Sequence, residues 1–304
     1  MNKKKLFSIL LLITVIISNG LAGENPASTG LSFLKIGAGA RAVGMGEAFT
    51  AVVDNASGTY WNPAGLAHTS GAELMFTHNK WLQDITNEYF AISFHVGENV
   101  FGISFLSNNV GGIERRVKPT AEPLGEINAH DVMFGLSYAR FLTPDISLGA
   151  TAKFLYEKIY VESSSGVAVD LGLHYQTKIK GLRAGLALQN FGYITELKDE
   201  PVKLPQTIRI GLAYQLPFQL FQGEFLVASD WVKILENSSH FNLGVEYSFK
   251  GFFALRCGYL TGYEDKGIQG GFGIGFKRYR LDYAFVPFTS DLGNTHRISI
   301  GMKL

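Results

Sequence analysis

Beyond residue 72 the chain alternates between two kinds of position. Phe90, Ile92, Phe94 and Val96 interleave with Tyr89, Ala91, Ser93 and His95, and Val167, Val169, Leu171, Leu173 and Tyr175 interleave with Ala168, Asp170, Gly172 and His174. The same pattern recurs at 208–214, 241–249, 279–285 and 298–304. Successive side chains of a strand point to opposite faces, so a period of two predicts strands. Fourteen are predicted, at 72–80, 87–96, 100–109, 127–139, 145–158, 165–176, 181–191, 205–216, 224–236, 238–249, 251–261, 267–277, 279–288 and 294–304. The first, ninth and twelfth are the least regular; Gly270, Gly271, Gly273 and Gly275 dilute the twelfth.

The connections carry a second signal. Short turns follow strands 2, 4, 6, 10 and 12, while long polar segments follow strands 3, 7 and 13. An outer-membrane barrel shows this alternation, with tight periplasmic turns, longer outside loops and both chain ends in the periplasm. The connection at 216–223 is longer than the rule wants, and the one after strand 9 is shorter.

One set of faces is almost purely Phe, Leu, Ile, Val and Tyr; the other is Gly, Ala and Ser with scattered charges. In a soluble all-β domain, the alternative reading, the bulky set points inward and the outer set carries many large charged groups. Here the second set is too small and glycine-rich for that. With the bulky set in lipid and the small set around a lumen, a closed antiparallel transmembrane β-barrel pairs every backbone group and leaves no edge. The expected lumen charges are Lys153, Asp170, Arg183, Arg209, Glu246, Arg256, Arg280, Asp282 and Arg297. They read either as paired charges filling the interior or as a selectivity lining for a polar permeant. Wall glycines at 102, 135, 149, 172, 185, 211, 244, 258 and 301 leave room for something to lie against the wall. Trp81 and Trp231, near strand ends, suit interfacial aromatic girdles.

Residues 37–67 are glycine-dense and nearly uncharged. A phosphate-binding loop fails, because Met45 follows Gly44 where a lysine is needed. A flexible linker would not expose Phe33, Leu34, Ile36, Val43, Phe49, Val52 and Val53 to solvent. A compact hatch, or plug, across residues 23–71 remains, with a short helix expected within 44–54. A second is expected after Asn62 as N-cap, with Pro63 at its first position. Arg41, Gly44, Gly46, Asn62 and Pro63 are the residues expected to hold the hatch together, Arg41 through a buried pairing in the lumen.

Lys3, Lys4 and Lys5 precede an apolar run over 6–17 and small residues at Gly20 and Ala22, which predicts a secretory signal peptide at 1–22. The remaining domain is then the barrel, 72–304. With one cysteine, Cys257, the fold does without internal disulfides. Against 26 acidic residues stand 27 basic ones, and no basic stripe suggests nucleic acid. The seven histidines are scattered, and no Gly-x-Ser-x-Gly elbow occurs, so no enzyme, metal or cofactor is expected.

The run "GARAVGMGEAFTAVVDNASGTYWNPAGLA", followed by alternating strands to the C-terminus, resembles the PorV/PorQ family, within a wider group similar to the FadL long-chain fatty-acid transporters. The resemblance covers nearly the whole mature chain and implies a fourteen-stranded outer-membrane barrel with an N-terminal hatch. It implies one of two roles. A PorV-like barrel is an accessory of type IX-like secretion that receives exported proteins carrying a C-terminal sorting domain. A FadL-like barrel passes hydrophobic small molecules beside the hatch and sideways through the wall into the surrounding lipid. The second role needs an apolar pocket above the hatch, and the polar segments at 107–131 and 192–205 fit a protein-facing surface better. Secretion or surface attachment is therefore the expected function, with hydrophobic uptake as the alternative and a purely structural role as a third. Leu304 ends the chain where an aromatic residue is usual.

Overall fold

The computed structural model describes residues 29–83, 85–116, 122–235, 237–263, 265–289 and 293–304; the expected leader lies outside them. Fourteen strands follow the hatch: β1 (Glu73–Lys80), β2 (Thr86–Val96), β3 (Asn99–Arg115), β4 (Gly125–Thr143), β5 (Ile146–Ile159), β6 (Glu162–Gln176) and β7 (Leu182–Ile194). The second half comprises β8 (Thr207–Leu220), β9 (Gly223–Ile234), β10 (Ser239–Phe249), β11 (Phe253–Leu260), β12 (Ile268–Phe276), β13 (Tyr279–Pro287) and β14 (Asn294–Lys303). Each pairs antiparallel with its sequence neighbours, and β1 pairs with β14 to close the barrel.

The register puts the two faces where the alternation requires. Phe76, Phe90, Phe105, Phe134 and Phe154 are successive cross-strand partners and point outward, Phe105 at 40% and Phe154 at 49% exposure. Ser104, Ser137, Thr151 and Ala168 point inward and are buried. A soluble barrel would turn the phenylalanines inward. Cys257 is exposed on the outer face.

The long connection expected at 216–223 is absent. β8 continues to Leu220 past an irregularity between Gln215 and Gln219, and only Phe221 and Gln222 turn the chain, both with positive φ. Pro217 and Phe218 had broken the alternation that marks a strand.

The hatch consists of a 3-10 turn (Ser32–Lys35), a short helix (Ala40–Gly44), a second (Gly58–Trp61) and a 3-10 helix (Pro63–His68). The first helix thus precedes the expected 44–54 segment. Gly46 (φ 63°) and Glu47 (φ 58°) adopt left-handed conformations that end it. Gly46 also lies on the wall so closely that a Cβ would stand 2.6 Å from the Leu243 carbonyl oxygen. Asn62 accepts from the Ala64 amide (3.1 Å) through Oδ1 and donates through Nδ2 to the carbonyls of Thr50 (2.9 Å) and Leu173 (3.2 Å). One side chain therefore ties a helix start to its neighbour and to the wall.

The wall glycines explain the close fit. Added Cβ atoms at Gly149, Gly172, Gly185, Gly244 and Gly258 would meet hatch residues 62–64, 50–51 and 45–46, and those at Gly102 and Gly211 would meet Thr59 and Thr50. Gly135 instead faces Ser104 on the wall, and Gly301 has nothing closer than 3.8 Å.

The start of β1 and the C-terminus share the short-turn end, where the Leu304 amide donates to the Ala72 carbonyl (2.9 Å). The first described residues lie elsewhere. Gly30 donates to Lys203 (3.0 Å) in the long β7–β8 connection, so the hatch threads the bore from the long-loop end to the short-turn end. Gly30 therefore lies at the opposite end of the bore from Leu304, and the N-terminus itself falls outside the described residues.

A Gly258→Ala substitution, whose methyl group meets only hatch backbone, is expected to cost about 1–3 kcal/mol. It should lower the heat-unfolding midpoint of the detergent-solubilised barrel, read by its migration shift on a gel. Gly301→Ala should stay within about 0.5 kcal/mol of the parent.

Candidate functional site

Arg41 leaves the first hatch helix toward the wall. Its Nε and Nη2 bind Glu246 (2.9 and 2.8 Å), and its Nη1 binds Asp54 (2.6 Å). Glu246 also accepts from Arg256 Nε (2.6 Å), and Arg256 reaches Asp282 (2.9 Å), which Arg280 holds from the other side (2.9 Å). Burial alone would lower the Arg41 pKa, but Asp54 and Glu246 outweigh it and raise it above the ordinary arginine value. The Arg41 guanidinium stays charged at any pH the protein meets.

Further anchors complete the seal. Asp230 accepts from the Phe49 amide (3.0 Å), the Thr50 amide (2.9 Å) and the Thr50 hydroxyl (2.6 Å). Arg209 stacks on Trp61 (4.9 Å), binds Gln189 (3.0 Å) and faces Glu47 (4.0 Å), which also faces Lys266 (3.8 Å). Trp61 donates to the Ala38 carbonyl (2.8 Å). Gly44 rests on Gly271, so closely that a Cβ added to it would stand 3.2 Å from the Gly271 Cα, and Pro63 rests on Gly149.

The structure thus divides the nine expected lumen charges. Glu246, Arg256, Arg280 and Asp282 form one network with Arg41, and Arg209 belongs to the Glu47 group. Lys153 and Asp170 pair at 2.6 Å, almost fully buried, where Asn190 (φ 63°) bulges out of the β6–β7 ladder. Arg183 and Arg297 make no ion pair among the described residues; Arg297 lies over Trp81 at 5.1 Å. Trp81 therefore lines the bore rather than forming an interfacial girdle. The sequence reading missed Asp230, Glu47 and Asp54. The signal was available: Arg41, Glu47 and Asp54 are the only charged residues between 37 and 67, and all three face charged partners.

The hatch separates two cavities. The one at the short-turn end, about 890 Å³, is polar, with Arg183, Lys180, Arg278, Lys303, Asp54 and Glu224 among its lining. The one at the long-loop end is about 590 Å³. Its floor is the hatch, through Leu31, Phe33, Leu34 and Ile36, and its wall includes Trp81, Ile85, Ile234 and Phe288. A pocket above the hatch therefore exists, apolar on its floor and part of its wall, with Glu47, Asp131, Glu157, Arg209 and Lys266 also lining it. The polar loops gave no sign of it because the hatch supplies much of the grease. Gln189 and Thr207 also line it, and they are the last β7–β8 partners toward the loops. Beyond them β7 pairs with β6 alone, and buried Leu204 and Pro205 stand where β8 would continue.

The fold is similar to that of the CymD monoaromatic hydrocarbon channel (TM-score 0.65, 13% identity, 88% of this chain and 96% of that one). It is also similar to the toluene transporter TodX of Pseudomonas putida (TM-score 0.61, 11% identity, 87% and 96%). By sequence, a Treponema pallidum protein described as "UPF0164 protein" is 25% identical over 221 residues, 65% of this chain; the chain spans about half the length (51%) of that relative. Residues 17–304 match the sequence model of the uncharacterised protein family UPF0164.

Glu246→Ala leaves the Arg41 and Arg256 guanidinium groups buried without their shared carboxylate. It should cost about 3 kcal/mol and raise ion conductance in planar bilayers, as should Arg41→Ala. Unchanged conductance and melting in both would remove the network from any role in holding the hatch.

His68 offers a second test. Burial, His174 with its ring 4.2 Å away and Arg183 push the His68 pKa down to about 4, with Asp54 opposing. Ser147 and Gln176 are its remaining polar neighbours. An unfolded histidine protonates near pH 6.5, so between about pH 6.5 and 4 the unfolded chain binds the extra proton and stability falls as pH falls. The melting midpoint should drop between pH 7 and pH 5, and His68→Asn should shrink that drop.

Proposed function

The chain belongs to the uncharacterised protein family UPF0164, and we propose that this integral outer-membrane β-barrel is a FadL-like passive channel for hydrophobic small molecules. The observation that carries the reading is the closed-bottomed cavity of about 590 Å³ at the long-loop end, floored by the apolar side chains of the hatch. Its volume lies within the range of small-molecule sites. The similarity over most of the chain to hydrocarbon channels supports it.

The compound enters among the long loops and rests on Leu31, Phe33 and Leu34. The charged and polar cavity below the hatch is a poor path for it, because an apolar molecule gains nothing from leaving grease for water. The wall between β7 and β8 offers a better one. Above Gln189 and Thr207 the two strands are unpaired, and Pro205 has no amide hydrogen with which to complete a ladder. The compound passes there into the lipid without dislodging the hatch. In this arrangement Arg41, Gly44, Gly46, Asn62 and Pro63 serve to keep the stopper in place.

The secretion role implied by the PorV/PorQ resemblance draws no support from these similar structures. Both readings meet one test. Naphthalene or toluene added to the purified barrel in nanodiscs should quench tryptophan fluorescence saturably through Trp81. Leu34→Asp, which sets a charge in the apolar floor, should weaken that binding by about tenfold or more. Non-saturable quenching equal in both proteins, together with co-purification of exported proteins sharing a C-terminal domain, would replace uptake by secretion.

A further inference from the structure

The long-loop cavity is not uniformly apolar. Asn108, Asp131 and Glu157 are successive cross-strand partners on β3, β4 and β5, all facing inward and lining it. The inward row nearer the loops is Val110, Ala129 and Ile159, and the row nearer the hatch is Leu106, Met133 and Leu155, again in register. Two carboxylates thus stand side by side between two apolar rows. Like charges directly opposite each other on a sheet destabilise it, and carboxylates in apolar surroundings ordinarily have a cation.

No cation is at hand among the described residues. Neither Asp131 nor Glu157 is in an ion pair, and the one hydrogen bond to them comes from Asn108 Nδ2 to Asp131 (2.9 Å). His130 and Lys158, adjacent in sequence, alternate to the outer face, where His130 contacts Asn109. Arg209 and Lys266, elsewhere on the cavity, both face Glu47. Lys35 donates to Thr29 (3.2 Å). Arg297 lies four strands away, roughly 19 Å along the wall. A separate observation points the same way. Asn108, which lines the cavity, is only 5% exposed, and its buried Oδ1 has no donor, so a third oxygen acceptor beside the two carboxylates has nothing to accept from.

We propose that Asn108, Asp131 and Glu157 bind the ammonium group of an amine-bearing hydrophobic compound, whose apolar body lies along Val110, Ala129 and Ile159. The proposal rests on the uptake reading and narrows its substrate class from neutral hydrocarbons to lipophilic amines. An ammonium group carries three donors, which matches three acceptor side chains. A bound amine relieves the repulsion between the carboxylates, so selectivity comes from the wall, while the hatch floor accepts any apolar body.

The test compares 4-phenylbutylammonium with pentylbenzene, similar in shape and differing in charge, by titration calorimetry of the full barrel in nanodiscs at pH 7. The amine should bind at least about tenfold tighter. Asp131→Asn and Glu157→Gln should each remove most of that preference while leaving pentylbenzene affinity unchanged. Both substitutions lessen like-charge repulsion, and unchanged pentylbenzene binding certifies the fold. Equal affinity for the two compounds in the parent protein would overturn the amine site and leave the uptake reading standing. Binding of neither would overturn both. A response to calcium chloride with no response to the amine would show a metal site instead.

Discussion

The structure depends on closing a sheet in hydrocarbon with its bulky side chains outside. Once the phenylalanine and leucine positions face lipid, the wall cannot fill its own interior, because many inward residues are glycine, alanine, serine and threonine and the larger ones, such as Leu106, Met133, Glu246 and Arg256, are scattered among them. A fourteen-stranded cylinder lined this way would be a wide hole. Residues 29–72 fill it, and the wall glycines are the other half of the same fit: Gly149, Gly172, Gly185, Gly244 and Gly258 each let hatch backbone approach to contact distance. The hatch and the small-residue wall are therefore one structural solution, and neither sequence feature makes sense alone.

Much of this was legible from the chain. Alternation located all fourteen strands because each strand divides two environments, lipid and packed interior, that demand different side chains. It failed at 216–223, where Pro217 and Phe218 interrupt the period and a bulge absorbs the irregularity. The hatch was legible as a compact body from its apolar content, but the position of its first helix was not. That was set by the left-handed turn at Gly46 and Glu47, which follows from the wall as much as from local preference. Charge pairing across 200 residues, such as Arg41 with Glu246, has no local signature. The sparse charges of 37–67 were its only trace. Trp81 misled for a related reason: a tryptophan at a strand end reads the same whether it turns outward to lipid or inward over Arg297.

The hatch contacts are unequal around the bore. Toward β3, β4 and β5 it packs Val52, Val53, Trp61 and their neighbours into one apolar cluster with Leu106, Met133 and Leu155. Toward β10, β11 and β13 it adds to a small apolar contact of Ala40 and Val43 with Ala284 and Val286 the ionic network of Arg41, Glu246, Arg256 and Asp282. Opening the apolar side would expose grease to water, whereas opening the ionic side would release charges into a cavity already polar.

That asymmetry bears on the uptake proposal, which asks one barrel to hold back ions and pass apolar compounds. A route through the hatch would require breaking the ionic side for every molecule, leaving charged groups unpaired while an apolar compound passes among them. On that proposal, a route through the wall requires that Leu204 and Pro205 yield together with the Asn190 Nδ2–Pro205 carbonyl hydrogen bond (3.1 Å), since the β7–β8 ladder already ends at Gln189 and Thr207. The Lys153–Asp170 pair, buried at the bulge where Asn190 leaves the β6 ladder, braces the strand adjoining that segment. On the uptake proposal, sealing and passage fall to different parts of the cylinder, and the stopper need not move for the wall to admit a ligand.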